Sequence, residues 1–88
     1  MIKIEKLDDS TYKVMVAAAS DTIHRVTLNS NYHHKLTGGR IPPEQLVRKA
    51  FEFLLERESN TSILSRFDLF EIGRYFPDFE QAIKKRLG

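Results

Sequence analysis

The sequence predicts an α+β domain in which a three-stranded antiparallel sheet of residues 1–28 packs on a helical half of residues 43–88. Apolar and polar residues alternate along residues 1–28, which is the two-residue period of a strand. From Ile41 to Glu58 the apolar residues recur at intervals of three and four, which is the helical period. No linker, repeat or low-complexity segment divides the 88 residues, so we expect a single domain.

Three segments of the N-terminal third are predicted strands. Ile2–Leu7 places two isoleucines on one face, Thr11–Ala19 alternates Tyr and Val with Lys and Met, and Thr22–Leu28 is rich in β-branched residues. Asp8-Asp9-Ser10 and Ser20-Asp21 have the residue types of tight turns. These features predict an antiparallel meander with one face on the helices and the other partly exposed to solvent.

Residues 43–58 are the predicted central helix. Pro43 suits the first helical position because its missing N–H would have no partner there, and Glu44 complements the positive end of the helix dipole. The apolar residues cover about half of the circumference. They are Leu46, Val47, Ala50, Phe51, Leu54 and Leu55, with Phe53 at one edge. An apolar surface of this width requires both the sheet and the later helices to cover it.

Shorter helical segments are predicted on both sides of the central helix. Ser30 is a candidate cap for a helical turn that ends at Gly38, and Ile63 and Leu64 begin a turn expected to end near Phe67. We expect residues 1–28 to contain the whole sheet and everything beyond Pro43 to be helix or loop.

The C-terminal residues predict two more short helices. Asp68 and Glu71 match the capping-box pattern at the start of a helix. Pro77 disfavours helical geometry at Phe76, so a break is expected there. The last predicted helix carries Phe79, Ala82, Ile83 and Leu87 on one face.

Composition excludes several classes of protein. The chain has no cysteine, so disulfides, cysteine–zinc sites and thiol catalysis are unavailable. The net charge is only +2, with acids and bases interleaved, which is weak support for nucleic-acid binding. No apolar run approaches the ~20 residues of a membrane span, and the N-terminus lacks the apolar core of a signal peptide. We therefore expect a cytoplasmic protein without membrane contact.

Two stretches carry a resemblance to known sequences. LVRKAFEFLLERE and the later SILSRFDLFEIGRYFPDFE resemble a small family of uncharacterised bacterial proteins. The resemblance extends over most of the chain. It implies a bacterial source and brings no established activity, cofactor or functional residue.

No residue pattern predicts catalysis, a cofactor or a metal site. His33 and His34 are adjacent, so their side chains point in different directions. His24 could join them as a third ligand, but the spacing of the three histidines matches no recognised metal-binding motif. No serine lies in a nucleophile motif. The pair Gly38-Gly39 lacks the Lys-Ser/Thr of a phosphate loop, and Pro42-Pro43 removes two N–H donors close by. An enzyme is therefore not expected.

The favoured interpretation is a non-catalytic protein-interaction module. Phe53, Phe70 and Tyr75 lie at the edges of the predicted apolar stripes, and core packing is the default interpretation for any one of them. Three aromatic residues at such edges in a small domain also predict an apolar patch, so they are the candidate contacts to an unknown protein partner, a second copy of the chain included.

The alternative is a small DNA- or RNA-binding regulator with a helix-turn-helix-like C-terminal pair, in which Lys84, Lys85 and Arg86 contact phosphates. Asp78 and Glu80 count against it, because they occupy the end of the second helix that would read the bases.

Overall fold

A computed structural model describes residues 1–87 of the chain. Its sheet has four strands in the order β1-β2-β3-β4. They are β1 (Ile2–Lys6), β2 (Thr11–Val16), β3 (Thr22–Thr27) and β4 (Arg66–Asp68). The first three strands form the predicted antiparallel meander, whereas β4 pairs parallel to β3, with Val26 opposite Phe67.

Four α-helices complete the α+β fold within the described residues. They are α1 (Ser30–Thr37), α2 (Pro43–Leu55), α3 (Ile72–Tyr75) and α4 (Phe79–Leu87). A 3₁₀ turn at Asn60–Ser62 follows α2, and a second one at Leu69–Glu71 leads directly into α3. The predicted central helix is confirmed in part, because α2 begins at Pro43 as expected but ends three residues earlier than predicted.

The fourth strand corrects two predictions. Residues 1–28 do not contain the whole sheet, and the segment before Phe67 is extended rather than helical. Its pairing explains the difference: the backbone N–H of Arg25 donates to the carbonyl of Ser65 over 2.7 Å, and the Thr27 hydroxyl donates to Asp68 over 2.8 Å. These bonds join residues about forty positions apart, so the local sequence pattern carries no trace of them.

The core lies between the inner face of the sheet and the helices. Tyr12, Val14 and Val16 of β2 and Val26 of β3 are buried, which follows from the two-residue alternation of a sheet with one covered face. The buried face of α2 packs against β1 on one flank and α4 on the other. That arrangement matches the two neighbours that the wide apolar surface of α2 requires.

Local signals fix the ends of the short helices. Asn29 rather than Ser30 caps α1, since its side chain accepts bonds from the N–H groups of Asn31 and Tyr32. Gly38 ends the same helix in the left-handed conformation at φ 69°. The capping box of Asp68 and Glu71 is confirmed, as is the break at Phe76, whose φ of −131° is extended.

Candidate functional site: an apolar groove with acidic sides

A groove of about 280 Å³ lies between the end of α2 and the segment that contains β4 and α3. Buried Leu54, Ile63, Phe67 and Ile72 line it. Leu64 and Tyr75 line it as well, and their side chains are 50% and 67% exposed. We call it the Leu64–Tyr75 groove. Two large apolar side chains exposed at one groove make it a candidate binding surface.

The charged residues that line the Leu64–Tyr75 groove are all acidic. Glu58 and Glu71 are its only charged side chains, and neither makes an ion pair within residues 1–87. Glu71 also accepts a hydrogen bond of 2.8 Å from the N–H of Asp68 as part of the capping box. The groove therefore favours an apolar ligand that also carries positive charge.

A chain of hydrogen bonds attaches the segment carrying Leu64 to the sheet. The Asn60 amide donates to the Thr22 hydroxyl over 2.8 Å. The other contacts of this chain involve the buried ring of His24, whose Nε2 and Nδ1 lie 2.8 Å from the Thr22 hydroxyl and from the carbonyl oxygen of Leu64 respectively. Because a carbonyl only accepts, Nδ1 carries the proton in the assigned tautomer and Nε2 accepts from Thr22. His24 therefore helps to position the groove, a role that sequence patterns did not indicate.

Phe53 is not part of an exposed patch, which corrects its prediction as a contact residue. Its side chain is 0% exposed, because Phe76 and Phe79 cover it with ring centroids at 5.9 and 5.2 Å. The guanidinium of Arg57 lies 3.7 Å from the centre of the same ring. The helical angle alone placed Phe53 at the edge of the apolar surface, but the docking of α4 closes over it.

Phe70 and Tyr75 are exposed, which leaves both available as contact residues, but they belong to different surfaces. Phe70 is 49% exposed and contacts Tyr32 of α1 in a T-shaped arrangement at 5.5 Å. It does not line the Leu64–Tyr75 groove, whereas Tyr75 does. The two aromatic residues therefore form separate candidate contacts.

The N-terminal end of α4 contacts other parts of the domain. Glu80 accepts a hydrogen bond of 3.0 Å from the Tyr32 hydroxyl and pairs with Lys35 at 3.4 Å. Burial and this bond to Glu80 raise the pKa of the Tyr32 phenol. Asp78 pairs with Arg57 at 2.9 Å. A recognition helix would need this end free for base contacts.

The three C-terminal cations differ in their surroundings. Lys84 and Lys85 are exposed, and neither forms an ion pair with another described residue. Arg86 instead pairs with Glu56 at the end of α2, and this contact lowers the pKa of the Glu56 carboxyl. Arg86 therefore links α4 to α2, which leaves the two lysines as the exposed part of the predicted phosphate contact.

A row of cations crosses the outer face of the sheet. Lys13 lies opposite Arg25, and Arg25 lies opposite Arg66, with Glu5 opposite Lys13 at the β1 end. None of the three cations forms an ion pair within the described part of the chain. Like charges at facing positions destabilise a sheet, so this row calls for an explanation. The sequence contains these residues, but only the strand register brings them together.

The remaining histidines have structural surroundings or lie at the surface. Nε2 of His33 lies 2.5 Å from the carbonyl oxygen of Ile41, and His34 is exposed. Among residues 1–87 no cluster of His, Cys, Asp or Glu has the geometry to hold a metal ion. Within the same residues, no helix combines the length and apolar character needed to cross a membrane.

Comparison of the chain with protein-family models, curated proteins and solved structures gives no match. The resemblance to a bacterial family stays a prediction. Function is therefore inferred from the geometry of the domain alone.

Proposed function

We propose that this protein is a non-catalytic interaction module that binds a basic, amphipathic segment of a partner protein in the Leu64–Tyr75 groove. The observation that carries the proposal is the exposure of Leu64 and Tyr75 at a groove whose only charged side chains, among residues 1–87, are carboxylates. The apolar side chains favour a bulky aliphatic or aromatic group. Glu58 and Glu71 favour Lys or Arg beside that group, because opposite charges guide the approach and set the orientation of a partner.

The dimensions of the groove suit one or two side chains rather than a whole protein surface. A groove of about 280 Å³ is just below the usual range of ~300–1,000 Å³ for ligand sites. A helix that inserts anchors spaced three or four residues apart is one known way of filling such a groove. We therefore expect a short peptide segment to contain most of the contacts.

Two labelled peptides test this proposal by fluorescence anisotropy. Both are helical and about 15 residues long, with the same leucine face, and one carries Lys and the other Glu on its polar face. We expect the Lys peptide to bind and the Glu peptide not to bind. Equal binding of both, or no binding of either at ~1 mM, would contradict the proposal.

Matched aromatic variants locate the binding site. Tyr75→Ser removes an exposed aromatic group that lines the groove, whereas Phe70→Ser removes one that lies outside it. We expect the first variant to weaken binding of the Lys peptide at least tenfold, about 1.4 kcal/mol, and the second to leave it near the wild-type value. The reverse ranking would move the site to Phe70 and Tyr32.

A second candidate function is DNA or RNA binding, supported by the Lys13–Arg25–Arg66 row rather than by the C-terminal helices. A row of cations that form no ion pair among the described residues, on an open sheet face, is suited to phosphates, whose binding releases counterions and depends strongly on salt. Anisotropy with labelled single strands and duplexes at low salt tests it. Arg25→Glu should abolish binding and Lys84→Glu should not, and the opposite result would favour the helix-turn-helix-like pair.

A further inference from the structure

The outer edge of β1 exposes the backbone groups of its even-numbered residues. Met1 and Ala17 exchange both backbone hydrogen bonds, at 3.1 and 2.8 Å. Bonded and non-bonded pairs alternate along an antiparallel ladder, so the odd-numbered residues of β1 bond to β2. The N–H and C=O groups of Ile2, Ile4 and Lys6 therefore point away from the sheet. The 2.8 Å bond from Arg48 to the carbonyl of Ile2 agrees with this direction.

We propose that this edge pairs with the same edge of a second copy, antiparallel, about a two-fold axis at Ile4. The two isoleucines at the axis would exchange both backbone bonds. Ile2 of each copy would face Lys6 of the other, and Lys3 would face Glu5. The carbonyl of Ile2 keeps its bond to Arg48 and accepts the new one with its second lone pair.

The charges along β1 favour this register over the registers in which the two-fold axis is shifted by one residue. Moving the axis to Lys3 would place the two copies of Lys3 opposite each other, and moving it to Glu5 would do the same for the two glutamates. Only the axis at Ile4 joins Lys3 to Glu5 on both sides while keeping the longest paired segment. These are non-hydrogen-bonded pairs, whose side chains lie closer together than those of bonded pairs.

The apolar residues along β1 agree with the same axis. Met1 would lie opposite Leu7 of the second copy on the outer face, and both are exposed in the single chain. Ile4, which is only half-buried against the core, would lie opposite its own copy on the inner face. Apart from Ile2, which would face Lys6, the strand is thus complementary to itself in both charge and apolar character. The Leu64–Tyr75 groove adjoins β4 at the opposite edge of the sheet, so the pairing is independent of the proposed function.

Charge exchange at the paired positions tests the register. Sedimentation velocity should show the wild-type chain as a dimer of twice 10.2 kDa at high concentration. Lys3→Glu and Glu5→Lys each turn both ion pairs into like-charge pairs and should weaken the dimer about tenfold or more. A one-to-one mixture of the two variants should restore it as a heterodimer, because the opposite charges then face each other. A monomeric wild-type chain at ~1 mM, or variants that dimerise like the wild type, would overturn the proposal.

A proline variant tests whether backbone bonds hold the two copies together. Lys6→Pro removes an N–H that points away from β2, so the β1–β2 ladder is retained, whereas Lys6→Ala keeps the N–H. We expect the proline variant to be monomeric and the alanine variant to dimerise, with the same circular dichroism spectrum for both. Dimerisation of a folded Lys6→Pro chain would contradict the pairing. If that variant unfolds, the charge-exchange mixture decides the question.

Discussion

The hydrogen-bond chain through His24 gives the most detailed prediction of stability. His24→Leu keeps a side chain of similar bulk in a site that is 1% exposed, but it removes the bonds to Thr22 and to the carbonyl of Leu64. Each lost bond costs about 0.5–1.5 kcal/mol. Loss of the ring contact with Phe51, now at 5.3 Å, adds about 0.5–1.5 kcal/mol.

The sum is about 1.5–4.5 kcal/mol out of a total stability of about 4–13 kcal/mol for a chain of 88 residues. Since 1 kcal/mol shifts Tm by about 4–8 °C in a domain of this size, Tm should fall by about 6–36 °C. Urea unfolding followed by circular dichroism at 25 °C measures the free energy directly. Hydrogen exchange of residues 62–68 should accelerate more than that of β2, because His24 attaches this segment to the sheet.

Thr22→Ser is the matched control, because it keeps the hydroxyl that contacts both Asn60 and His24. We expect it to cost less than about 1 kcal/mol. Thr22→Val combined with His24→Leu should cost less than the sum of the two single changes, since both remove the same bond. A His24→Leu protein within about 0.5 kcal/mol of wild type would refute the role assigned to this chain of bonds.

Three further predictions concern the core, the helix ends and pH. Phe51→Ala should cost about 3–5 kcal/mol because the ring is fully buried, and a Tm shift of a degree or two would place Phe51 outside the core. Gly38→Ala should lower the unfolding free energy by about 1–2 kcal/mol, because φ is 69° there, whereas unchanged stability would mean that α1 ends differently. Arg86 lowers the pKa of Glu56 below its ordinary 4.5, so this pair stabilises the fold above that pH and its contribution is lost as pH falls through the folded value. Glu56→Gln should therefore flatten the acid limb of the curve of stability against pH. A curve identical to that of the wild type would show that the Arg86–Glu56 pair does not stabilise the fold.

The elements that sequence could predict are those whose signals are local. The wide apolar face of α2, the capping box at Asp68 and the break at Phe76 each depend on residues within a few positions of one another. The meander has the same property, since turns of a few residues join its strands. Helical spacing placed Phe70 and Tyr75 beside the apolar stripe of their helix, but it did not decide between core packing and the exposure that the structure shows.

Features that depend on contacts between distant parts of the chain could not be predicted from the sequence. β4 has only three residues and exists through bonds to β3, so no periodicity marks it. Phe53 is buried because α4 docks on it, and the position of Phe53 around α2 gives no information about that docking. The cationic row and the Leu64–Tyr75 groove both arise from the placement of β4, so the error over this strand hid both surfaces.

Groove binding is tested most directly by an NMR titration of the labelled protein with the Lys peptide, together with Glu58→Lys. We expect amide shifts to change at residues 58–64 and 71–76 and to stay constant on β1 and β2. Glu58→Lys should weaken binding of the Lys peptide and strengthen binding of the Glu peptide, because it reverses a charge that lines the groove. Shift changes confined to the outer sheet face, or an affinity for both peptides that is unchanged in Glu58→Lys, would contradict the proposed binding site.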